Sequence, residues 1–476
     1  MGLEDGAPVE AEQLLTEISD YCRRVGMAES TFGRRAVNDG KLVSRLRIGG
    51  RITTDTAERV RSFIRQNPNL EGRSFARLRA AAGELRPAAV PAAAAQAPAA
   101  APVNGAHNFR FYDNRQKYLL FVNTCSEKWV VAQRVGMELA SIHPRPPAVR
   151  LFDAGVGDGT VLARVMRSMH TRFPTMPFYI VGKEISLEDV RLALEKMPDR
   201  FYEHPATVLV ITNLRYSEAP WLTPNSVTAA TSMVWRELAL TGNTASEFEE
   251  QITDLQGFLA ENWRAAIGKA GNPVYEKPVV LVIYREDYRF LLDTVRPQRG
   301  HGRADYDLVI ASQPYRLRAP LEFKARAVLA PLARSLAPAG RLLAIHSHGA
   351  DPGLEIAQKI WPGENPFQHD RHALLKATRA ELGNDGRDLN FNAYADNRSL
   401  FRYDMHTLPS EIGDTIGTST LLAAWNAAIY VNQIEDARLA DVMGDRRYLD
   451  ATSEVLHRHG GLWFLDESFV VSRKRD

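Results

Sequence analysis

The residue pattern best suited to chemistry is a glycine-rich stretch followed at a distance by an acidic residue. In the stretch 151–160, an acidic residue precedes three alternating glycines; the four are Asp153, Gly155, Gly157 and Gly159. Glycine reaches positive φ angles and lets backbone N–H groups approach a ligand with no Cβ in the way. Glu184 ends the next apolar run, where its carboxylate can accept hydrogen bonds from both hydroxyls of a ribose. The pattern therefore predicts a nucleoside site, with Asp153 orienting either a ligand's ammonium group or the amides of the turn.

Strands and helices must alternate along the chain to bring these residues together. Apolar runs typical of strands alternate with helical spacing after residue 107; they are Val149–Asp153, Phe178–Glu184, Thr207–Thr212, Val279–Tyr284, Tyr306–Ala311, Arg341–His346 and Ser468–Ser472. Such alternation is typical of a mostly parallel sheet with helices on both faces. A glycine turn in this setting also occurs in dinucleotide-binding dehydrogenases, and in α/β domains that bind no nucleotide, so both stay open as alternatives.

The stretch around Asp153 resembles motif I of class I methyltransferases, an acidic residue followed by three alternating glycines. The helical segment 118–135 and the final strand 467–473 are also similar to that fold, so the resemblance covers roughly residues 108–476. It implies a Rossmann-like α/β fold with a seven-stranded, mostly parallel sheet, and S-adenosyl-L-methionine over the ends of strands one, two and four. Asn213, which ends the third strand, would then accept a hydrogen bond from the amino group of adenine.

The same resemblance directs the methyl acceptor to the end of the fourth strand. There the chain reads Ser312-Gln313-Pro314-Tyr315, which is similar to the motif of amino-methyltransferases, although Gln313 replaces a proline. Methyl transfer is an in-line displacement, so the protein mainly aligns nucleophile and methyl group. We therefore expect Ser312, Gln313 and Tyr315 to contact the acceptor. A strand end with a turn proline and a packing tyrosine is the alternative interpretation.

Histidines supply the other candidate groups. His346 and His348 follow the fifth predicted strand and could reach the cleft as general bases, since imidazole titrates near neutral pH. A structural role is the alternative for both. His369 and His372 lack the carboxylate or third histidine that a metal site needs, so no metal is predicted.

The segment before residue 80 has a different composition. From Tyr21 to Arg79 it holds fourteen Lys and Arg against five Asp and Glu, although the whole chain carries only +2. Its apolar spacing predicts a small all-α N-terminal domain that resembles a helix-turn-helix, which implies binding of double-stranded DNA. The residues expected to contact DNA are Arg34, Arg35, Lys41, Arg45 and Arg47. A docking or dimerisation module is the alternative, and a homodimer is left open.

Composition predicts the domain borders and the compartment. We expect a helical domain over 1–79, an Ala/Pro-rich linker over 80–106 and a methyltransferase domain over 107–476 with helical insertions at about 215–302 and 349–461. Aromatic residues in these insertions form an acceptor pocket or fill extra core; they are Trp221, Trp235, Tyr284, Trp361, Tyr394 and Trp425. Two cysteines, no secretory signal and no apolar run of membrane-spanning length favour a cytoplasmic protein with no membrane partner.

Three functions remain open on these grounds. The first is an S-adenosylmethionine-dependent methyltransferase acting on a small-molecule or protein nucleophile, tethered to a DNA-binding-like domain. The second is a DNA amino-methyltransferase, suggested by the Ser-Gln-Pro-Tyr segment and the basic N-terminal residues. The third is a transcription regulator that senses S-adenosylmethionine without turning it over.

Overall fold

A computed structural model describes residues 7–25, 29–37, 39, 42–47, 52–67, 115–268, 272–407, 409–413 and 415–475. The chain divides into two compact units, Met1–Val103 and Asn104–Asp476. The predicted linker, residues 80–106, lies outside the described residues.

The described part of the first unit consists of helices Ala7–Val25, Glu29–Val37, Leu42–Arg47 and Thr54–Gln66. Their apolar faces meet around Tyr21, Phe32 and Phe63, with the rings of Phe32 and Phe63 edge to face at a centroid distance of 5.5 Å. The Thr53 hydroxyl caps the last helix by accepting a hydrogen bond from the Thr56 amide. Helical spacing of apolar residues is thus what brings these helices together.

The second unit is built on one large sheet. Ten of the strands of this unit form that sheet, and two form a separate hairpin. In chain order the strands are β1 Val149–Asp153, β2 Phe178–Lys183, β3 Thr207–Thr212, β4 Val234–Leu240, β5 Ala265–Ile267, β6 Pro273–Tyr275, β7 Val279–Arg285, β8 Tyr306–Ser312, β9 Leu336–Ser347, β10 Leu389–Asn392, β11 Leu400–Asp404 and β12 Trp463–Arg473. The order across the sheet is β10-β12-β9-β8-β1-β2-β3-β7-β4, β11 pairs with β12, and β5 and β6 form the hairpin.

Five central strands, from β9 to β3 in that order, run parallel, whereas β12 is antiparallel to β9 and β7 is antiparallel to β3. The mostly parallel sheet is therefore confirmed. The expected count of seven strands was wrong, because the sheet has ten. Setting aside β4, β7 and β11 leaves seven contiguous strands. β4 and β11 come from the segments expected to be helical insertions, whereas β7 matches the predicted strand Val279–Tyr284. On β4, Arg236 and Glu237 interrupt the apolar pattern, as is common on an edge strand.

Helices cover both faces of the sheet. They are Arg115–Thr124, Glu127–Leu139, Thr160–Arg172, Leu187–Leu194, Pro198–Glu203, Val227–Ser232, Ala245–Thr253, Gln256–Asn262, Arg289–Leu292, Leu321–Lys324, Ala330–Arg334, Pro352–Ile360, Arg371–Leu382, Asp396–Ser399, Thr418–Val431, Asp436–Ala440 and Arg447–His459. Successive residues of β1 point to opposite faces, so Leu151 joins one apolar core and Phe152 the other. This arrangement leaves the carboxyl ends of the parallel strands at one common edge.

A third apolar core lies between helices Arg115–Thr124, Thr418–Val431 and Arg447–His459. Trp425 stacks on Trp361 and packs on Tyr448, with ring centroids 5.9 and 5.1 Å apart. These aromatic side chains of the second predicted insertion therefore fill a core. No helix within the described ranges combines the length and apolarity required to cross a bilayer.

Candidate cofactor site

The glycine turn at the end of β1 has the backbone that its sequence predicts. Gly157 and Gly159 have φ angles of +54° and +78°, which side-chain-bearing residues rarely adopt. Asp153, the last residue of β1, is buried, and its Oδ1 accepts a hydrogen bond from the Gly155 amide at 3.1 Å. Asp153 therefore holds the Gly155 amide at the start of the turn.

Gly159 has a second requirement beyond its φ angle. A Cβ added there would lie 2.6 Å from the Ala193 Cα, on the neighbouring helix Leu187–Leu194. At Gly155, in contrast, the nearest atom to an added Cβ is the Ser312 carbonyl oxygen at 3.8 Å, an ordinary contact. The third glycine of the pattern thus serves helix packing, and the first borders the end of β8.

Glu184 lies directly against the glycine turn. Its Oε2 accepts a hydrogen bond from the Gly157 amide at 2.9 Å, while Oε1 accepts from the amides of Ile185 at 2.7 Å and Ser186 at 2.9 Å. The parallel pairing of β1 with β2 brings the two strand ends side by side. A carboxylate offers about four acceptor positions, so three bonds leave capacity for a ligand hydroxyl.

The electrostatic balance around this carboxylate favours a cation. Burial, together with the charge of Glu184, raises the pKa of Asp153 to about 6. The same two causes raise the pKa of Asp189 to about 7. Lys128 is one neighbouring cation, and it also lies 3.3 Å from the Glu127 carboxylate. Lys196 is another, 3.5 Å from the carboxylate of Asp158 in the turn itself. The raised pKa values of Asp153 and Asp189 indicate that a positively charged ligand beside these two groups would be stabilising.

Tyr118, which sequence reasoning missed, contacts the turn, and a second tyrosine packs against it. The Tyr118 hydroxyl accepts a hydrogen bond from the Asp158 amide at 3.3 Å and would meet a Cβ added at Gly157 at 3.0 Å. Its ring packs on Tyr430, with centroids 6.0 Å apart. The two tyrosines are 312 positions apart in the sequence, so their contact could not be predicted from spacing. The only sequence signal for either was the helical pattern that contains Tyr118.

Asn213 has a structural role that the resemblance did not imply. It is buried at the end of β3, where its Oδ1 accepts from the Val279 amide at 2.8 Å and its Nδ2 donates to the Lys277 carbonyl at 2.9 Å. Both ends of the carboxamide are therefore used to hold β7 against β3. The partner residues belong to the segment expected to be an insertion, so the sequence did not reveal them.

We expect Asn213→Ala to lower the free energy of unfolding by about 3 kcal/mol, because it leaves two buried backbone groups without partners. The affinity for an adenine-containing ligand, measured on the folded fraction, should stay within about threefold. Thermal unfolding and calorimetry check the two effects. Asn225→Ala is the control, since the exposed Asn225 side chain donates one hydrogen bond to the Ser217 hydroxyl and its backbone bond to Glu218 would remain. A selective loss of adenine binding without loss of stability would contradict the structural role.

The predicted acceptor segment does lie beside the glycine turn. Ser312 ends β8, and the Ala154 amide, next to Gly155, donates to the Ile310 carbonyl of the same strand at 2.8 Å. Gln313 has a φ of +47°, and its Nε2 donates to Asp466 Oδ1 at 3.2 Å while its Oε1 accepts from the Ser347 amide at 3.2 Å. The Gln313 carboxamide therefore ties β8 to both β9 and β12.

Tyr315 and His346 lie behind this edge in the core, which corrects their predicted catalytic roles. Tyr315 is 6% exposed and meets the His346 ring edge to face at 6.0 Å. His346 Nε2 lies 3.1 Å from the Glu467 carboxylate, and burial lowers the pKa of its imidazole. Despite burial, hydrogen bonds from His346 and Arg371 hold the pKa of Glu467 at about 2. His348 Nδ1 is 3.9 Å from the same carboxylate. His346, Glu467 and Arg371 thus form a buried polar network that joins β9 to β12.

The predicted DNA contacts are described only in part. Arg45 and Arg47 are exposed and pair with Asp39 and Glu29 at 2.8 and 2.7 Å. Arg35 is also exposed. Lys41 and the side chain of Arg34 lie outside the described residues. DNA binding by this unit stays a prediction.

Comparison with known proteins gives matches in solved structures alone. No family model matches the chain, and no curated protein matches it. A geranyl diphosphate methyltransferase in complex with SAM is 12% identical, with 77% of this chain and 92% of that chain covered at a TM-score of 0.29.

Two further solved structures show the same low similarity. The plantazolicin methyltransferase BpumL in complex with SAH is 9% identical, with 77% and 92% covered at a TM-score of 0.30. Phosphoethanolamine N-methyltransferase 2 of Haemonchus contortus is 10% identical, with 72% and 52% covered at a TM-score of 0.23. Similarity this low supports no functional inference, so function must be argued from the chain's own contacts.

Proposed function

We propose that the second unit is an S-adenosylmethionine-dependent methyltransferase. The observation that carries the proposal is the 2.9 Å hydrogen bond between the Gly157 amide and Glu184 Oε2. It joins the end of β1 to the end of β2 at a turn with positive φ angles, which is the arrangement expected from the motif I resemblance. The cofactor would lie at this edge, in contact with Asp153, Gly155, Gly157 and Glu184.

The donor and acceptor groups present suit this cofactor. S-adenosylmethionine carries a ribose, an ammonium group and a sulfonium, and it supplies an electrophilic methyl group when bound. Glu184 keeps acceptor capacity for ribose hydroxyls, and Asp153 provides a buried negative charge for the ammonium group. Gly155 lies next to Ser312 at the end of β8, with an added Cβ only 3.8 Å from the Ser312 carbonyl oxygen, so the turn and the acceptor segment are neighbours.

The acceptor is proposed to be a small-molecule or protein nucleophile that reaches Ser312 at the end of β8. A DNA amino-methyltransferase is less favoured, because the aromatic ring of its motif should stack on the target base. The Tyr315 ring instead packs in the core, with its hydroxyl buried and without a hydrogen-bond partner. A non-catalytic sensor of S-adenosylmethionine would share the cofactor contacts and differ only in turnover.

Calorimetry with S-adenosylhomocysteine tests the proposal directly. We expect one binding site per chain in the micromolar range, and no binding at millimolar concentration would refute it. Incubation with methyl-labelled S-adenosylmethionine and cell extract then separates enzyme from sensor, because only an enzyme produces a labelled acceptor. A gel-shift assay with random duplex DNA separately tests the prediction for the N-terminal unit.

Cofactor affinity should depend on pH through Asp153. Its pKa of about 6 means that the carboxyl group is protonated at pH 5 and ionised at pH 7.5. The ligand's ammonium group favours the ionised form, so affinity for S-adenosylhomocysteine should rise about tenfold between these pH values. Calorimetry at both values checks this.

Asp153→Asn should remove this pH dependence and give weak binding throughout. Asp189→Asn is the matched control, because Asp189 also titrates in this range but accepts a hydrogen bond from neither Gly155 nor Gly157. If the pH dependence persists in Asp153→Asn and disappears in Asp189→Asn, the ammonium contact belongs elsewhere.

A further inference from the structure

An open groove lies between helices Glu127–Leu139 and Thr160–Arg172 of the second unit, away from the acceptor segment. It encloses about 580 Å³, and its main side chains are Trp129, Gln133, Met137, Arg164, Arg167 and Arg172. This volume is in the range of small-molecule sites. The groove is thus large enough for one or two nucleotides.

Its lining is strongly cationic. Three arginines line the groove, and none of its lining residues is acidic. The Arg167 side chain is 62% exposed, and its Nε lies 4.0 Å from Glu203 Oε2, at the outer limit of an ion pair. Arg172 donates to the Ala140 carbonyl at 3.3 Å, which leaves most of its guanidinium donors available. Exposed guanidinium groups with weak pairing are complementary to phosphate.

An aromatic platform adjoins these cations. Trp129 is 54% exposed, and the Arg164 guanidinium lies over its ring at 4.3 Å from the centroid. The His406 ring lies edge to face with it at 6.4 Å, and the exposed part of the indole leaves room for a further flat group. Nucleobases stack on aromatic side chains of this kind, and arginine adds a cation–π contribution.

The three arginines lie on one helix and all face the groove. Arg164 and Arg172 are eight residues apart on Thr160–Arg172, about 12 Å along the axis at roughly 1.5 Å per residue. An extended polyanion can therefore contact several of them at once. An acidic peptide would satisfy the arginines but would offer no flat ring to Trp129.

We propose that this groove binds single-stranded nucleic acid, with a base stacked on Trp129 and phosphates bound by Arg164, Arg167 and Arg172. Phosphate contacts provide affinity without base readout, so binding is expected to be tolerant of sequence. The proposal is independent of methyl transfer, because the contacts involve neither Glu184 nor Asp153.

Fluorescence anisotropy of labelled oligo(dA) of about 15 nucleotides, added to the full chain without methyl donor, tests the proposal. Three phosphate contacts give a salt slope of about −2, so a fourfold rise in salt from about 50 mM should weaken binding about 20-fold. The triple variant Arg164→Ala, Arg167→Ala, Arg172→Ala should bind at least tenfold more weakly. Trp129→Ala should lose about tenfold, whereas Trp129→Phe should retain most of the affinity.

Arg303→Ala is the control, since that side chain is 82% exposed and outside the groove. Arg167 and Arg172 are exposed and Arg164 is half-buried against Trp129, so thermal unfolding should change by only a few degrees in these variants. Three results would overturn the proposal: no binding to the parent chain at low salt, equal binding by the triple variant and the parent, or equally strong competition by polyglutamate. Equal binding by the triple variant and the parent would assign nucleic-acid binding to another part of the chain.

Discussion

Glu184→Gln should weaken binding of S-adenosylhomocysteine about 100-fold. The substitution removes the negative charge and forces an NH₂ group to face either the Gly157 amide or the paired amides of Ile185 and Ser186. Two donors then oppose each other at the turn, and the ribose loses a charged acceptor. Hydrogen bonds to charged groups are worth about 1.5–3 kcal/mol, and each 1.4 kcal/mol is tenfold in affinity.

Calorimetry measures this effect, with Glu188→Gln as the control. Glu188 lies four residues further on, its carboxylate is 45% exposed, and it pairs with Arg191 at 3.5 Å. That variant should bind as the parent chain does. If Glu184→Gln lowers the melting temperature but changes affinity less than threefold, Glu184 only holds the turn, and the proposed ribose contact is wrong.

Gly159→Ala should destabilise the second unit by about 3 kcal/mol. A left-handed backbone costs a side-chain-bearing residue about 1–2 kcal/mol, and forcing extra atoms into a packed site adds about 1–3 kcal/mol. Here the added Cβ would lie 2.6 Å from the Ala193 Cα, a backbone atom that cannot move independently. Chemical and thermal unfolding should both report the loss.

Two other glycines distinguish the cost of backbone strain from the cost of crowding. Gly300 has a φ of +81° with no atom within 4 Å of an added Cβ, so Gly300→Ala measures the backbone strain without crowding. Gly155→Ala meets its nearest neighbour at 3.8 Å without a positive φ, so its stability should change by less than about 0.5 kcal/mol. If Gly159→Ala is no worse than Gly300→Ala, the contact with Ala193 contributes nothing.

Much of the sheet could be predicted because its central strands are short apolar runs. The runs 149–153 and 207–212 have the predicted bounds, and β2 ends one residue before Glu184. The proximity of Glu184 to the glycine turn follows from neighbouring parallel strands, which is why the sequence could predict it. By contrast, β4 was missed, because charged residues on an edge strand hide its periodicity.

The errors share one physical cause, which is pairing between distant segments. Asn213 was predicted to contact a ligand, but its carboxamide bonds β7, which begins at residue 279. His346 was predicted to be a general base, but it bonds the Glu467 carboxylate, which also accepts a hydrogen bond from Arg371. Neither partner has a local signal, since contacts across a sheet depend on strand order and not on spacing along the chain.

The position of β12 has a consequence for how the polypeptide is made. Residues 463–473 insert between β9 and β10, pairing with β9 from Arg341 to Ser347 and with β10 from Leu389 to Asn392. Both partners are synthesised before this strand, so the edge of β9 stays unpaired while residues 348–462 are made. Unpaired edges invite wrong partners, and long-range pairing is slow. Chaperone dependence and cotranslational aggregation should therefore concentrate on the interval before residue 473 emerges.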